Sequence, residues 1–126
     1  MTDLPYFTDQ HTAVRDMVRE FATTEVAPVA AKLDAEAKFP WHTVKRMGEL
    51  GLLGVPWPES LGGAGMDYIS YIIAINEMAK VDASHAITIS AHTTLGTSPI
   101  MNFGSDAQRE RFVPFLARGQ VLGGLA

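Results

Sequence analysis

The chain has 126 residues, of which 47% are hydrophobic and 19% are charged, with a net charge of −4 and no cysteine. This length suits one domain with a sizeable core, and the acidic balance argues against a broad surface for nucleic acid or anionic membranes. The absence of cysteine excludes disulfides and thiolate metal sites. No segment has the roughly 18 apolar residues of a membrane span, and the N-terminus lacks a signal-like pattern. We therefore expect a cytoplasmic protein that neither binds nucleic acid nor inserts into membranes.

Apolar residues recur at helical spacing in the first third of the chain. Between residues 9 and 33 they follow the three-four pattern of one helical face, and Thr8 suits the N-cap. Pro28 removes a backbone donor, so it should bend this helix or end it early. Pro40 suits the first turn of a second helix over residues 41–50.

Residues 51–71 are rich in proline and glycine, and such a segment cannot be a regular helix or a central strand. We predict a shaped connection between helices. The glycines at residues 62–65 precede a helix, which could suggest a phosphate cradle. The run is not G-x-G-x-x-G, however, and Asp67 brings a negative charge to the next helix start, so tight turns are the favoured interpretation.

A third helix is predicted for residues 68–81, with Asp67 as its N-cap. It is apolar nearly all round, which is typical of a buried central helix. Four isoleucines should stabilise the core by roughly 1.5–3 kcal/mol each when buried: Ile69, Ile72, Ile73 and Ile75.

The fourth predicted helix has an unusual composition. It covers residues 83–95, between Asp82 as N-cap and Gly96. No Asp, Glu, Lys or Arg occurs between Asp82 and Asp106, and small or hydroxylated residues dominate. Small residues allow another group to approach the helix closely.

The remaining sequence predicts a short helical turn at residues 97–103 and a last helix ending near residue 117. Ser105 and Gln108 form an S-x-x-Q capping box that opens this helix, and Pro114 should disturb it. Three of its apolar side chains are predicted to face the core: Phe112, Phe115 and Leu116.

The elements together predict an all-α fold, an orthogonal or up-down bundle of about five to six helices. We assign residues 1–119 to this helical domain. Residues 120–126 lie outside it. Of these, residues 121–126 are apolar and resemble the start of a β-strand, which predicts a short incipient strand with an exposed apolar edge.

Residues 58–68, P-E-S-L-G-G-A-G-M-D-Y, resemble the P-E-x-x-G-G-x-G-x-D-Y motif in the N-terminal domain of the acyl-CoA dehydrogenase family. The resemblance covers essentially the whole chain, because further residues agree with the family in order and spacing: Asp34, Phe39-Pro40, Glu77, Asp82, Ser84, His92, Leu95-Gly96, Pro99-Ile100, Phe103-Gly104, Gln108, Pro114 and residues 119–126.

This resemblance implies the N-terminal part of a longer, usually tetrameric FAD enzyme of fatty-acid β-oxidation, with a middle β-domain and a C-terminal helical bundle. Such an enzyme oxidises the Cα–Cβ bond of an acyl-CoA thioester. A glutamate base takes the α-proton, hydride passes to flavin N5, and electrons leave to an electron-transfer flavoprotein. The base lies in the C-terminal bundle, so no catalytic residue is assigned here, and neither Glu59 nor Glu77 takes that role. The flavin-contacting stretch would begin at about Leu125 and Ala126.

By the same resemblance, the fourth helix forms one wall of the acyl pocket. On this sequence the wall would consist of Thr88, Ala91, His92 and Leu95, which an α-helix places on one face. Small and aliphatic residues without charge suit a hydrocarbon chain. Alternatively, these small residues only allow tight packing, and His92 is a hydrogen-bonded structural histidine. His85 and His92 are too far apart along a helix to share an ion, so no metal site is predicted.

Two other functions remain open. Acyl-CoA oxidases and flavin monooxygenases share the fold, and the residues that separate them from dehydrogenases lie in other domains. The second alternative is a stand-alone helical interaction module without flavin.

Overall fold

The computed structural model describes residues 4–126, and within this range all regular structure is helical. The α-helical segments are α1 (Asp9–Phe21), α2 (Ala27–Ala35), α3 (Trp41–Glu49), α4 (Tyr68–Ala79), α5 (Ala83–Ala91), α6 (Ser98–Phe103) and α7 (Asp106–Ala117). Two π-helical turns, Ala22–Val26 and His92–Thr97, join α1 to α2 and α5 to α6 without a loop. The described chain therefore contains five continuous helical rods, which confirms the predicted all-α bundle.

The strand predicted within residues 120–126 does not form. Residues 122–126 have no regular structure, and no strand exists elsewhere in residues 4–126 to pair with them. A strand needs a ladder partner for its backbone groups. The domain boundary after residue 119 stays a prediction.

Among residues 4–126, none of the helices has the length and apolar character needed to cross a bilayer.

The helix starts follow from local chemistry and confirm the predicted N-caps. Thr8, Asp67, Asp82 and Ser105 each accept a hydrogen bond from the backbone N–H three residues later. The predicted capping box of Ser105 and Gln108 is present, with both hydrogen bonds formed. These side chains satisfy amides that would otherwise lack partners at the helix start.

Each π-helical turn ends two residues before a proline. Pro28 is the second residue of α2 and Pro99 is the second residue of α6. The backbone N–H just before each proline makes the wide hydrogen bond of a π-turn, from Ala27 to Ala22 O and from Ser98 to Thr93 O. A wider turn accommodates a residue that cannot donate to the carbonyl four residues back, so the helix continues past each proline.

The main core lies where α4 packs between α1 and α5. The prediction for α4 is only partly right, because Ile73 is buried while Ile69 and Ile72 are exposed, Ile72 to 59%. The buried face of α4 is formed instead by residues with three-four spacing: Ser70, Tyr71, Ile73, Ala74, Glu77 and Met78.

In α7 the predicted facing is likewise wrong for two of three residues. Leu116 is buried, but Phe112 and Phe115 are exposed, Phe115 to 53%. Val113 and Ala117 take the inner positions, and Val113, Ala117 and Trp57 form a second small core. Leu116 and Ala117 follow Val113 by three and four residues, so all three lie on one face of the helix.

The segment between α3 and α4, residues 50–67, folds back on itself as a compact loop. Ala64 N donates to Gly54 O at 2.9 Å, and Met66 N donates to Val55 O at 3.0 Å. Gly63 lies against Trp57, where an added Cβ would be 2.1 Å from the Trp57 carbonyl oxygen. The predicted shaped connection is therefore confirmed, and close backbone packing is one reason for its glycines.

We expect Gly63→Ala to lower the free energy of unfolding by about 1–3 kcal/mol, because the new methyl group must push the two arms of the loop apart. Gly124→Ala is the matched control, since nothing lies within 4 Å of a Cβ at that position. Urea unfolding of both variants checks the prediction. Equal stability of the two variants would contradict it.

Candidate functional site

The predicted wall lies on α5 and the π-helical turn that follows it. Thr88 and Ala91 are half-buried, and Leu95 is 46% exposed. The Thr88 hydroxyl donates to Ser84 O at 2.9 Å, and the Thr94 hydroxyl donates to Ser90 O at 2.7 Å. Because these hydroxyls are satisfied by their own helix, the surface is less polar than its sequence suggests.

The π-helical turn changes which residues share a face. The prediction assumed α-helical geometry from Thr88 to Leu95, but the turn His92–Thr97 has the wider i→i+5 hydrogen bonding. Thr88 and Ala91 precede this turn, while Leu95 lies inside it. α-Helical spacing therefore does not relate Leu95 to the other residues, and His92 is buried whereas the other three are accessible.

His92 points into the protein. Its Nε2 is 2.9 Å from Leu116 O, and its Nδ1 is 3.1 Å from Gly123 N. A carbonyl oxygen can only accept and a backbone amide can only donate, so Nε2 carries the proton and Nδ1 is bare. Burial lowers the pKa of His92 and outweighs its hydrogen bonds to backbone carbonyls, which favours this neutral form. The structure therefore favours the structural interpretation of this histidine.

His85 is also buried and belongs to a separate polar cluster. Its Nδ1 is 2.6 Å from Asp82 Oδ2 and its Nε2 is 2.6 Å from Thr43 Oγ1. Burial opposes the charge on Asp82, but hydrogen bonds from Ser84 and His85 prevail, and the pKa of Asp82 lies below its usual value. Within residues 4–126 no three His, Asp or Glu side chains are grouped so as to hold a metal ion.

Glu77 is a buried carboxylate with two cationic partners. Its oxygens lie 3.0 Å from Arg19 Nε and 2.5 Å from Lys80 Nζ. Burial acts to raise the pKa of Glu77, but these two hydrogen bonds outweigh it, and the net pKa is lowered. A carboxylate held in its charged form by two cations is a weak base, so its chemistry suits structural pairing.

The predicted cofactor residues lie in the C-terminal segment. Leu125 is 72% exposed, and Ala126 is exposed as well. Neither makes a hydrogen bond to the helices among the described residues. They remain predicted flavin contacts.

Sequence reasoning missed a histidine that links two helix starts. His11 Nδ1 accepts from Thr8 N at 3.1 Å, and His11 Nε2 donates to Asp67 Oδ2 at 2.8 Å. The hydrogen bond from Ser70 N and then that from His11 lower the pKa of Asp67 to about 2. The available signal was His11 at the third position of α1, where a side chain can complete a capping box with Thr8.

An apolar groove of about 500 Å³ was also missed. It lies beside the exposed face of α4, and its lining includes Leu4, Tyr6, Tyr68, Ile69 and Ile72. The apolar character of α4 all round, which suggested complete burial, was the available signal.

Comparison with known proteins decides the family. The model for "Acyl-CoA dehydrogenase, N-terminal domain" matches residues 8–120. The chain belongs to the acyl-CoA dehydrogenase family. An acyl-CoA dehydrogenase of Bacillus subtilis is 42% identical over 121 residues, which are 96% of this chain and 32% of that protein. The chain therefore spans about a third of that relative's length.

Two solved structures of this family share the fold. Butyryl-CoA dehydrogenase from Megasphaera elsdenii superimposes with a TM-score of 0.87 at 33% identity, covering 96% of this chain and 32% of that one. An acyl-CoA dehydrogenase from Bacillus anthracis, complexed with FAD, gives a TM-score of 0.85 at 31% identity, covering 94% and 20%.

We expect His92 to make stability depend on pH between about pH 7.5 and about pH 5. Its pKa is below the ordinary 6.5 in the folded chain, so only the unfolded chain takes up this proton at first as the pH falls. Stability contributed by neutral His92 is therefore lost with falling pH. The lowered pKa values of Asp67, Glu77 and Asp82 act at lower pH, near and below the ordinary carboxylate values.

Urea unfolding midpoints at both pH values, for the wild type and His92→Asn, measure this effect. The wild type should lose more stability on acidification than the variant does. The same loss of stability in both proteins would contradict the prediction, because it would mean that the pKa of His92 does not differ between the folded and the unfolded chain.

Proposed function

We propose that this chain is the N-terminal helical domain, residues 1–119, of an FAD-dependent acyl-CoA dehydrogenase, followed by the beginning of a middle β-domain. The observation that carries the proposal is the family match over residues 8–120. The likeness to butyryl-CoA dehydrogenase over 96% of the chain supports it. The reaction would desaturate an acyl-CoA thioester and pass hydride to flavin.

In this proposal α5 contributes one wall of the acyl pocket. Thr88, Ala91 and Leu95 are accessible and expose no charge, which suits contact with a hydrocarbon chain. His92 supports this wall from inside, because its imidazole is buried and both ring nitrogens have backbone partners.

The catalytic base would come from outside these residues. Glu77 is committed to Arg19 and Lys80, and Glu59 lies in a short 3₁₀ turn, Glu59–Leu61, within the loop before α4. FAD would be met by the segment that begins at Leu125 and Ala126, and the FAD complex of the Bacillus anthracis relative supports this cofactor. An electron-transfer flavoprotein as acceptor, a homotetramer and a cytoplasmic location are further proposals.

Acyl-CoA oxidase and flavin monooxygenase are alternatives, because they share this fold. They differ from dehydrogenases in how the reduced flavin meets oxygen. The exposed apolar groove beside α4 is the observation that keeps a stand-alone interaction module open, because such a surface can bind another protein.

Anaerobic titration of the whole flavoprotein with a series of acyl-CoAs tests the proposed function. We expect the flavin absorbance to bleach with at least one acyl-CoA, because hydride transfer reduces the flavin. An unchanged spectrum with every acyl-CoA would rule out the dehydrogenase, and rapid reoxidation by oxygen alone would favour the oxidase.

We expect Ala91→Phe in the whole enzyme to shift substrate preference toward shorter acyl chains. The added ring would fill space used by the distal part of the chain. On the longest accepted acyl-CoA, kcat/KM should fall by at least about tenfold relative to a short one. Ala107→Phe, at an exposed position of α7, is the control. An unchanged chain-length profile in Ala91→Phe would remove Ala91 from the wall.

A further inference from the structure

Two hydrogen bonds join the C-terminal segment, residues 120–126, to the helices. The last backbone hydrogen bond that joins it to α7 runs from Gln120 N to Phe115 O at 2.9 Å. Beyond it, within the described chain, Gly123 N donates to His92 Nδ1, and residues 121–126 make no other hydrogen bond to the helices. The direction of this segment therefore depends strongly on His92.

Two glycines bring the segment within reach of the imidazole. A Cβ on Gly123 would lie 2.8 Å from Gly96 Cα and 3.1 Å from Leu116 Cδ2, and a Cβ on Gly96 would lie 2.6 Å from Gly123 Cα. Any side chain at either position would separate the two backbones. The contact between Gly123 and His92 thus requires this close approach.

The two nitrogens of His92 have different tasks. Nε2–H is bonded to Leu116 O at the end of α7, which fixes the ring plane. Because a hydrogen bond made by one ring nitrogen selects the tautomer, Nδ1 carries no proton and accepts the hydrogen bond from Gly123 N. α7 therefore orients the ring, and the ring orients the segment.

We propose that His92 is a positioning residue that sets where residues 121–126 leave the helices. It acts through Gly123 and contacts no substrate. The functional meaning of this role rests on the proposed function. In that function, His92 fixes where the flavin-contacting stretch begins, at Leu125, relative to the acyl wall. The wall residue Ala91 directly precedes His92 on the same rod. This role replaces the predicted one, in which His92 touched the acyl chain.

Two substitutions separate the tasks of the two nitrogens. In His92→Asn, an amide oxygen lies near the former position of Nδ1, and this oxygen can still accept the hydrogen bond from Gly123 N. In His92→Gln, an amide nitrogen lies near the former position of Nε2, and this nitrogen can still donate to Leu116 O, but the acceptor for Gly123 N is lost. Amide hydrogen exchange of Gly123, followed by NMR on the folded chain, distinguishes them, and circular dichroism confirms that each variant is helical.

We expect exchange at Gly123 to be about tenfold faster in His92→Gln, as the loss of one hydrogen bond predicts, and to remain within about threefold of the wild type in His92→Asn. Equal rates in both variants, whether fast or slow, would overturn the proposal. This readout involves neither flavin nor acyl-CoA, so it can fail or succeed separately from the anaerobic titration.

A second pair of variants tests the segment from its own side. Gly123→Ala should release residues 121–126 and move their amide shifts toward random-coil values, because the methyl group clashes with Gly96. Gly124→Ala, whose methyl group has open space, should leave those shifts unchanged. Native-like shifts at residues 121–126 in Gly123→Ala would overturn the proposed positioning.

Discussion

Direct backbone contact between the end of α7 and the chain around α3 is the constraint on which the rest of the domain depends. A Cβ on Gly48 would lie 2.7 Å from Arg118 O, and one on Gly54 would lie 2.7 Å from Ala117 O. Glycine at these positions lets α7 approach without intervening side chains. The same end of α7 presents Leu116 O to His92, so this contact also helps to fix the position of the rod that runs from α5 to α6.

The features that the sequence could predict are those that depend on neighbours along the chain. Thr8, Asp67, Asp82 and Ser105 were identified as N-caps because the amides they bind lie only three residues away. The loop was recognised by its Pro and Gly content, since these residues restrict or widen the backbone whatever surrounds them. These boundaries predicted about five to six helices, and the structure has five rods, because the predicted end of the fourth helix at Gly96 is wrong: the helix continues through the π-helical turn into α6.

The predictions that failed required knowledge of distant residues. Ile72 and Phe115 were expected inside because a helix that is apolar on several sides gives no clear phase, and packing partners choose the buried face. The partners of His92 lie 24 and 31 residues away, so its inward direction could not be inferred from α5 alone. The accessibility of Thr88 and Leu95 is compatible with the predicted wall, but the α-helical spacing assumed for Leu95 does not hold inside the π-helical turn.

The π-helical turn at His92–Thr97 also has a consequence for how this region tolerates changes in length. A π-turn accommodates one residue more than an α-turn, so it behaves as a local insertion in the rod. Deleting one residue there would restore α-helical geometry and leave the rod unbroken. The wide turn absorbs the extra residue, so the α-helical segments on its two sides would keep nearly the same rotational relation after the deletion. A one-residue deletion inside the regular α5 would instead rotate everything after it by about 100°. The π-helical turn is therefore the point of this rod that best tolerates the loss of one residue.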